Sequence, residues 1–98
     1  MTLQVKGDAE AIERYARDNG ELFRSISGAG REAGAAHHAF YASDDGTVMV
    51  VDEWDSPESF TSFFEEQGER IGGIMQAAGV TDEPRITFWH KVETGDDF

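Results

Sequence analysis

The segment from His37 to Trp54 constrains the fold of this chain more than any other part of the sequence. Two runs rich in aromatic and β-branched residues, HHAFYAS and TVMVVDEW, lie on either side of Asp44-Asp45-Gly46. Such residues favour strands, and Asp-Gly between two strand-like runs is a strong hairpin signal. The segment therefore predicts two antiparallel strands on which the rest of the chain must pack.

A strand and a helix are predicted before this hairpin. Residues 2–6 alternate between polar and apolar side chains, which is typical of a half-buried strand. Asp8 is a suitable N-cap, and apolar residues recur at helical spacing over 12–26, with Gly20 as the weak point. Residues 27–36 contain three glycines and no large apolar side chain, so we expect the helix to end there and a loop to follow.

A second helix and a last strand are predicted after the hairpin. Ser56 as N-cap and Pro57 at the first helical position mark a helix start. Three glycines in the middle of this helix predict a bend or a break, and Gly79 is a suitable C-terminal cap. Residues 85–92 indicate a strand, and residues 93–98 form an acidic tail.

The resulting order, β-α-β-β-α-β, predicts an α+β fold of the ferredoxin-like type, in which a four-stranded antiparallel sheet carries both helices on one face. We expect one such domain over residues 1–98. Val48–Val51 run apolar without a break, so the helix-free face would also carry apolar side chains. A monomer would expose them as a patch of several hundred Å². We therefore predict a homodimer in which two helix-free faces pair.

Two stretches of the sequence resemble a known family. The runs VVDEWDSPESFTSFF and MQAAGVTDEPRITFW are similar to the dimeric α+β barrel proteins related to antibiotic biosynthesis monooxygenases, including small bacterial members with no assigned function. The resemblance covers Leu3 to Val92 and implies a dimeric barrel. The superfamily includes oxygenases that use neither metal nor flavin, haem-degrading enzymes, muconolactone isomerases and polyketide cyclases, and the fold does not choose among them.

Composition limits the partners of the chain. Eight Lys and Arg against 20 Asp and Glu give a net charge of −12, which opposes binding to nucleic acid and to anionic membrane surfaces. The absence of cysteine excludes disulfides, thiolate metal sites and cysteine nucleophiles. No apolar run approaches the roughly 20 residues that span a bilayer. The first residues also lack the form of a signal peptide, so we expect a cytoplasmic protein.

The length of the hairpin turn decides which strand residues are neighbours. A three-residue turn, with Gly46 in the left-handed conformation, pairs His37 with Glu53 and His38 with Asp52. A two-residue turn pairs His38 with Glu53 instead. We favour the three-residue turn, although a bulge beside it makes the assignment of faces sensitive to register.

Three residues are candidates for catalysis. His37 beside Glu53 could form a general base with an orienting carboxylate, or an ordinary ion pair at the end of the sheet. Tyr41 could donate a proton or a hydrogen bond to a phenolate-like ligand, or could serve only in packing. Asp52 and Glu53 are adjacent acids on opposite faces and therefore do not form a carboxylate dyad. Asp52 could equally be a solvated charge at the end of its strand.

Three further residues are candidates for ligand binding. His38, Trp54 and Trp89 could contact an aromatic small molecule, since indoles offer large flat surfaces for stacking; the alternative for both tryptophans is packing. A metal site would need His90 with the other histidines and Glu53, but no ligand spacing supports it, so we expect neither metal nor cofactor. The sequence favours two functions equally: a monooxygenase-like or cyclase-like enzyme acting on an aromatic or polyketide-type molecule, and a non-catalytic small-molecule binding or dimerisation module.

Overall fold

The computed structural model describes Met1 to Phe98. Its elements are β1 (Thr2–Lys6), α1 (Ala9–Asp18), α2 (Gly20–Ala33), β2 (Ala35–Ala42), β3 (Thr47–Trp54), α3 (Pro57–Glu66), α4 (Gly68–Ala77) and β4 (Arg85–Thr87). The strands form one antiparallel sheet in the order β2-β3-β1-β4. This confirms the ferredoxin-like α+β fold. None of the helices has the length and apolar composition that crossing a bilayer requires.

The turn between β2 and β3 contains three residues, as predicted. The Ser43 N–H donates to the Thr47 carbonyl at 2.9 Å, and Gly46 has a φ of 86°, a left-handed conformation that glycine adopts at little cost. The Ser43 hydroxyl also hydrogen-bonds the exposed Asp45 carboxylate and thereby holds the pKa of Asp45 below its ordinary value. The turn fixes the register of the hairpin and hence which side chains share a face.

The predicted helix ends are confirmed. The Asp8 carboxylate accepts hydrogen bonds from two backbone N–H groups of the first turn of α1, and the Ser56 hydroxyl accepts one at the start of α3. After α4, Gly79 has a φ of 75°, and the Val80 N–H donates to the Met75 carbonyl at 3.0 Å. This is the Schellman motif, which satisfies carbonyl groups that the end of a helix leaves unpaired.

Both predicted helices are divided. The first breaks at Asn19, directly before its weak point Gly20, and the second breaks at Gln67, directly before Gly68. The glycine content of each helix predicts this. The first helical region ends within residues 27–36, as predicted, but the loop expected there is reduced to Gly34, because α2 continues to Ala33 and β2 begins at Ala35.

One glycine of α2 lies against the aromatic side chains beneath the helix. Gly30 is buried, and a Cβ atom placed there would lie 3.6 Å from the Phe63 ring and 3.9 Å from the Trp54 ring. The backbone of α2 therefore passes directly over these two aromatic side chains. Tertiary contact of this kind offsets the cost of about 1 kcal/mol that a glycine imposes on a helix.

The last strand is shorter than predicted. Residues 85–92 were expected to be extended, but β4 ends at Thr87. Thr87 pairs with Thr2, which is the first residue of β1. Beyond Thr87, only Met1 is left for β4 to pair with. A strand needs a neighbour to satisfy its backbone groups, and residues 88–98 accordingly carry no regular secondary structure.

The hydrophobic core lies between the sheet and the helices. It consists of six buried side chains from both layers: Leu3, Val5, Ile12, Val48, Phe60 and Ala78. Phe60 is the largest of them, and its ring contacts those of Trp54, Phe64 and Phe88 at centroid distances of 5.7, 5.4 and 5.9 Å. The core is small, and it leaves space between the two layers open.

Candidate functional site

A cavity of about 390 Å³ lies between the sheet and the helices, and 20 of the 26 residues that line it are hydrophobic. Alternate residues of β1 and β3 form its floor, because successive strand side chains point to opposite faces. The apolar sides of α2, α3 and α4 form its cover. Its size and composition are those of sites that hold small molecules.

A buried carboxylate in the cavity wall holds two neighbouring side chains. Asp52 is only 8% exposed. Its Oδ1 lies 2.7 Å from Nδ1 of His38, and its Oδ2 accepts a hydrogen bond from Nε1 of Trp54 at 3.0 Å. Both carboxylate oxygens are therefore engaged, as burial of a charged group requires. All three residues line the cavity.

The Asp52 carboxylate determines which nitrogen of His38 carries the proton. An ionised carboxylate only accepts hydrogen bonds, so the proton of a neutral His38 ring lies on Nδ1. The ring is thereby left with Nε2 as its hydrogen-bond acceptor. A histidine whose Nδ1 is held by a carboxylate and whose Nε2 is free has the arrangement of a general base.

The strand register explains this pairing. The three-residue turn places His38 opposite Asp52 and His37 opposite Glu53, as the sequence predicts. On β3, Asp52 and Trp54 are two residues apart and so lie on the same face. The interpretation of Asp52 as a solvated charge at the strand end is wrong, since its side chain faces the cavity and is shielded by the residues around it.

The six predicted site residues do not form one cluster. His37, His38 and Trp54 line the cavity, whereas Glu53, Tyr41 and Trp89 do not. No hydrogen bond or ion pair joins His37 to Glu53, although the two residues are paired in the sheet. The roles assigned to these residues from the sequence stay predictions, and the structure supplies a carboxylate contact for His38 rather than for His37.

Tyr41 and Trp89 lie on the helix-free face or beside it. Tyr41 is opposite Met49 in the hairpin and is 52% exposed. Trp89 is 68% exposed, and its Nε1 donates to the Thr2 hydroxyl at 2.8 Å. Both aromatic side chains are thus available to a partner surface rather than to a molecule in the cavity.

Sequence reasoning missed three polar residues of the site. Asp52 could have been found from its register with His38 and its shared face with Trp54. Ser27 and Arg31 also line the cavity, but they fall in the segment predicted to hold the end of a helix and a loop. No three His, Asp or Glu side chains come together in a way that could hold a metal ion.

Comparison with known proteins places the chain by its fold. No protein-family model matches it, and no curated protein sequence does. Among solved structures, it is similar to a Deinococcus radiodurans protein proposed to be an antibiotic biosynthesis monooxygenase, with a TM-score of 0.61 and 17% sequence identity. The likeness covers 100% of this chain and 99% of the other. It confirms the fold that the resemblance in the sequence implies.

Proposed function

We propose that this protein is a small oxygenase that oxidises an aromatic molecule in its cavity without a metal or a flavin, with the His38–Asp52 pair as its general base. The observation that carries the proposal is the 2.7 Å contact between Nδ1 of His38 and the buried Asp52 carboxylate in the wall of the apolar cavity. The Deinococcus radiodurans protein that shares this fold is itself proposed to be an antibiotic biosynthesis monooxygenase.

The first step is removal of a proton from the substrate. Nε2 of His38 accepts a proton from an acidic C–H or O–H group, and Asp52 stabilises the imidazolium that forms. Trp54 holds the second oxygen of Asp52 at 3.0 Å, which keeps the carboxylate aligned with the imidazole. Burial of the Asp52 carboxylate strengthens its interactions with both neighbours.

The resulting carbanion then reacts with dioxygen. For a methylene between two aromatic rings, one oxygen atom bonds to the carbon, and the O–O bond breaks as the second C–H proton leaves. The products are a ketone and water, so R₂CH₂ + O₂ gives R₂CO + H₂O. The four electrons that dioxygen needs come from the substrate carbon, and no external reductant is required.

Oxygen uptake with anthrone tests the proposal. We expect the protein, after dialysis against a chelator, to accelerate conversion of anthrone to anthraquinone above the rate in buffer, with one O₂ consumed per product and no hydrogen peroxide released. An oxygen electrode measures the O₂ consumed, and absorbance measures the anthraquinone formed. Saturable binding of anthrone without accelerated uptake contradicts the proposal and supports the alternative of a non-catalytic binding module.

We also propose that the protein is a homodimer joined through its helix-free sheet face. The isolated chain exposes 6916 Å², whereas a compact monomer of its mass exposes about 5,500 Å². Tyr41, Met49, Val51 and Trp89 supply large apolar side chains on or beside this face.

Replacing Val51 by Asp is expected to dissociate this dimer, because a charge at the centre of a paired sheet face is buried without a partner. Light scattering should give twice the 10.8 kDa chain mass for the wild type and a single chain mass for the variant. Ser25→Asp, which adds the same charge at an exposed position of α2, should remain dimeric. A monomeric wild type, or a dimeric and folded Val51→Asp variant, contradicts the proposed interface.

A further inference from the structure

The cavity opens between α2 and β2. Most of the residues that line it are buried or half-buried, and the exposed ones all belong to these two elements. They are Ser27 and Arg31 on α2, and Ala36, His37, His38 and Phe40 on β2. A ligand that enters through this opening meets these six side chains first.

One unpaired positive charge lies at the opening. Arg31 and Asp52 are the only Arg, Lys, Asp or Glu residues that line the cavity. Asp52 is buried and has both oxygens engaged by His38 and Trp54. Arg31 takes part in none of the ion pairs of the chain, which involve only lysines and His38 as cations. None of the six arginines of the chain takes part in an ion pair, and Arg31 is the one that lines the cavity.

A hydroxyl group lies one helical turn from this charge. Ser27 and Arg31 are four residues apart on α2 and therefore adjacent on the same side of the helix. Both line the cavity. A guanidinium presents a planar pair of N–H donors that matches a carboxylate, and the hydroxyl adds a further donor nearby. Together they form a donor pair on the helix side of the cavity opening.

We propose that the ligand of the cavity is a flat apolar molecule that carries a carboxylate, with Arg31 as the residue that binds this group. The inference rests on the proposed function for the identity of the site and adds the class of substrate. The ring occupies the apolar part of the cavity, where Trp54 lies, and Arg31 holds the carboxylate at the opening.

Binding of two matched probes tests this inference. 1-Naphthoate and 1-naphthamide have nearly the same shape, and only the first is charged. We expect calorimetry at low ionic strength to show that the wild type binds naphthoate about three- to tenfold more tightly than naphthamide, the range between an exposed and a partly desolvated ion pair. Arg31→Gln should remove this preference and leave the affinity for naphthamide unchanged.

Two further variants complete the test. Arg31→Lys should keep part of the preference, because it retains the charge and loses the planar donor pair. Arg24→Gln makes the same charge change on α2 at a residue that does not line the cavity, and it should keep the full preference. Equal affinity of the wild type for the two probes, a preference that survives Arg31→Gln, or no binding of naphthoate overturns the inference.

The result of the probe-binding test can be distinguished from the result of the anthrone test of the proposed function. If naphthamide binds as well as naphthoate while anthrone is oxidised, the oxygenase proposal stands and the carboxylate preference is wrong. If Arg31 discriminates between the probes while anthrone is not oxidised, the site binds aromatic carboxylates without the proposed chemistry.

Discussion

Replacing His38 by Gln is expected to lower the rate of anthrone oxidation by about 10²- to 10⁴-fold, the usual contribution of a positioned general base. Glutamine can still hydrogen-bond Asp52, but it cannot accept a proton from the substrate. The affinity for anthraquinone, measured by calorimetry, should change little, because the apolar walls of the cavity remain. The effect should therefore appear in kcat rather than in binding.

Asp52→Asn should reduce the rate by a comparable factor. An asparagine amide can donate a hydrogen bond to Nδ1 of His38, which moves the ring proton to Nε2 and removes the acceptor that the substrate needs; a change of this kind is costly in other histidine–carboxylate pairs. Nitrogen-15 NMR of the histidine ring reports the change of tautomer directly. If Asp52 had only a structural role, Asp52→Asn would lower stability and leave the tautomer of His38 unchanged.

His37→Gln is the matched control, because His37 also lines the cavity but has no carboxylate contact. We expect this variant to retain most of the wild-type rate. If it instead loses activity while His38→Gln keeps it, the base is the histidine predicted from the sequence with Glu53, and the assignment to His38 is wrong.

Phe60→Ala is expected to lower the free energy of unfolding by about 3–5 kcal/mol, as truncation of a buried phenylalanine does. Phe60 is 4% exposed and contacts three other aromatic rings, so the deletion removes both buried area and aromatic contacts. A domain of this size has a total stability of about 5–15 kcal/mol. Urea unfolding of the wild type and the variant gives the difference.

Phe98→Ala serves as the comparison, since Phe98 is exposed at the end of the chain. It should change stability by less than about 0.5 kcal/mol. If Phe60→Ala does not fold, Phe60→Leu keeps much of the side-chain volume and should give a measurable, smaller loss. Equal stabilities of Phe60→Ala and Phe98→Ala contradict the position of Phe60 in the core.

Local signals predicted the hairpin and the helix ends because each depends on neighbouring residues. Gly46 closes a turn, Asp8 and Ser56 accept hydrogen bonds within one helical turn, and Gly79 ends a helix through its own backbone conformation. None of these features requires knowledge of the rest of the fold. The sequence was therefore sufficient for the order of elements and for the strand register.

Features that depend on distant contacts were predicted poorly. The helix over Gly30 persists because Phe63 and Trp54 lie beneath it, and the short β4 reflects where β1 begins. Neither fact is visible in the local sequence. The role of Asp52 in the site was missed for the same reason, because its burial depends on the helices that cover it rather than on its strand neighbours.

Gly30 also gives the cavity an adjustable volume. Its backbone forms part of the cavity cover, and an added Cβ would make only ordinary van der Waals contacts with Phe63 and Trp54. An alanine there is accommodated without strain and fills part of the space beside these two rings. A single codon change from glycine to alanine thus narrows the cavity and keeps His38 and Asp52 in place. Proteins with this fold can in this way diverge in the size of molecule they accept before their polar groups change.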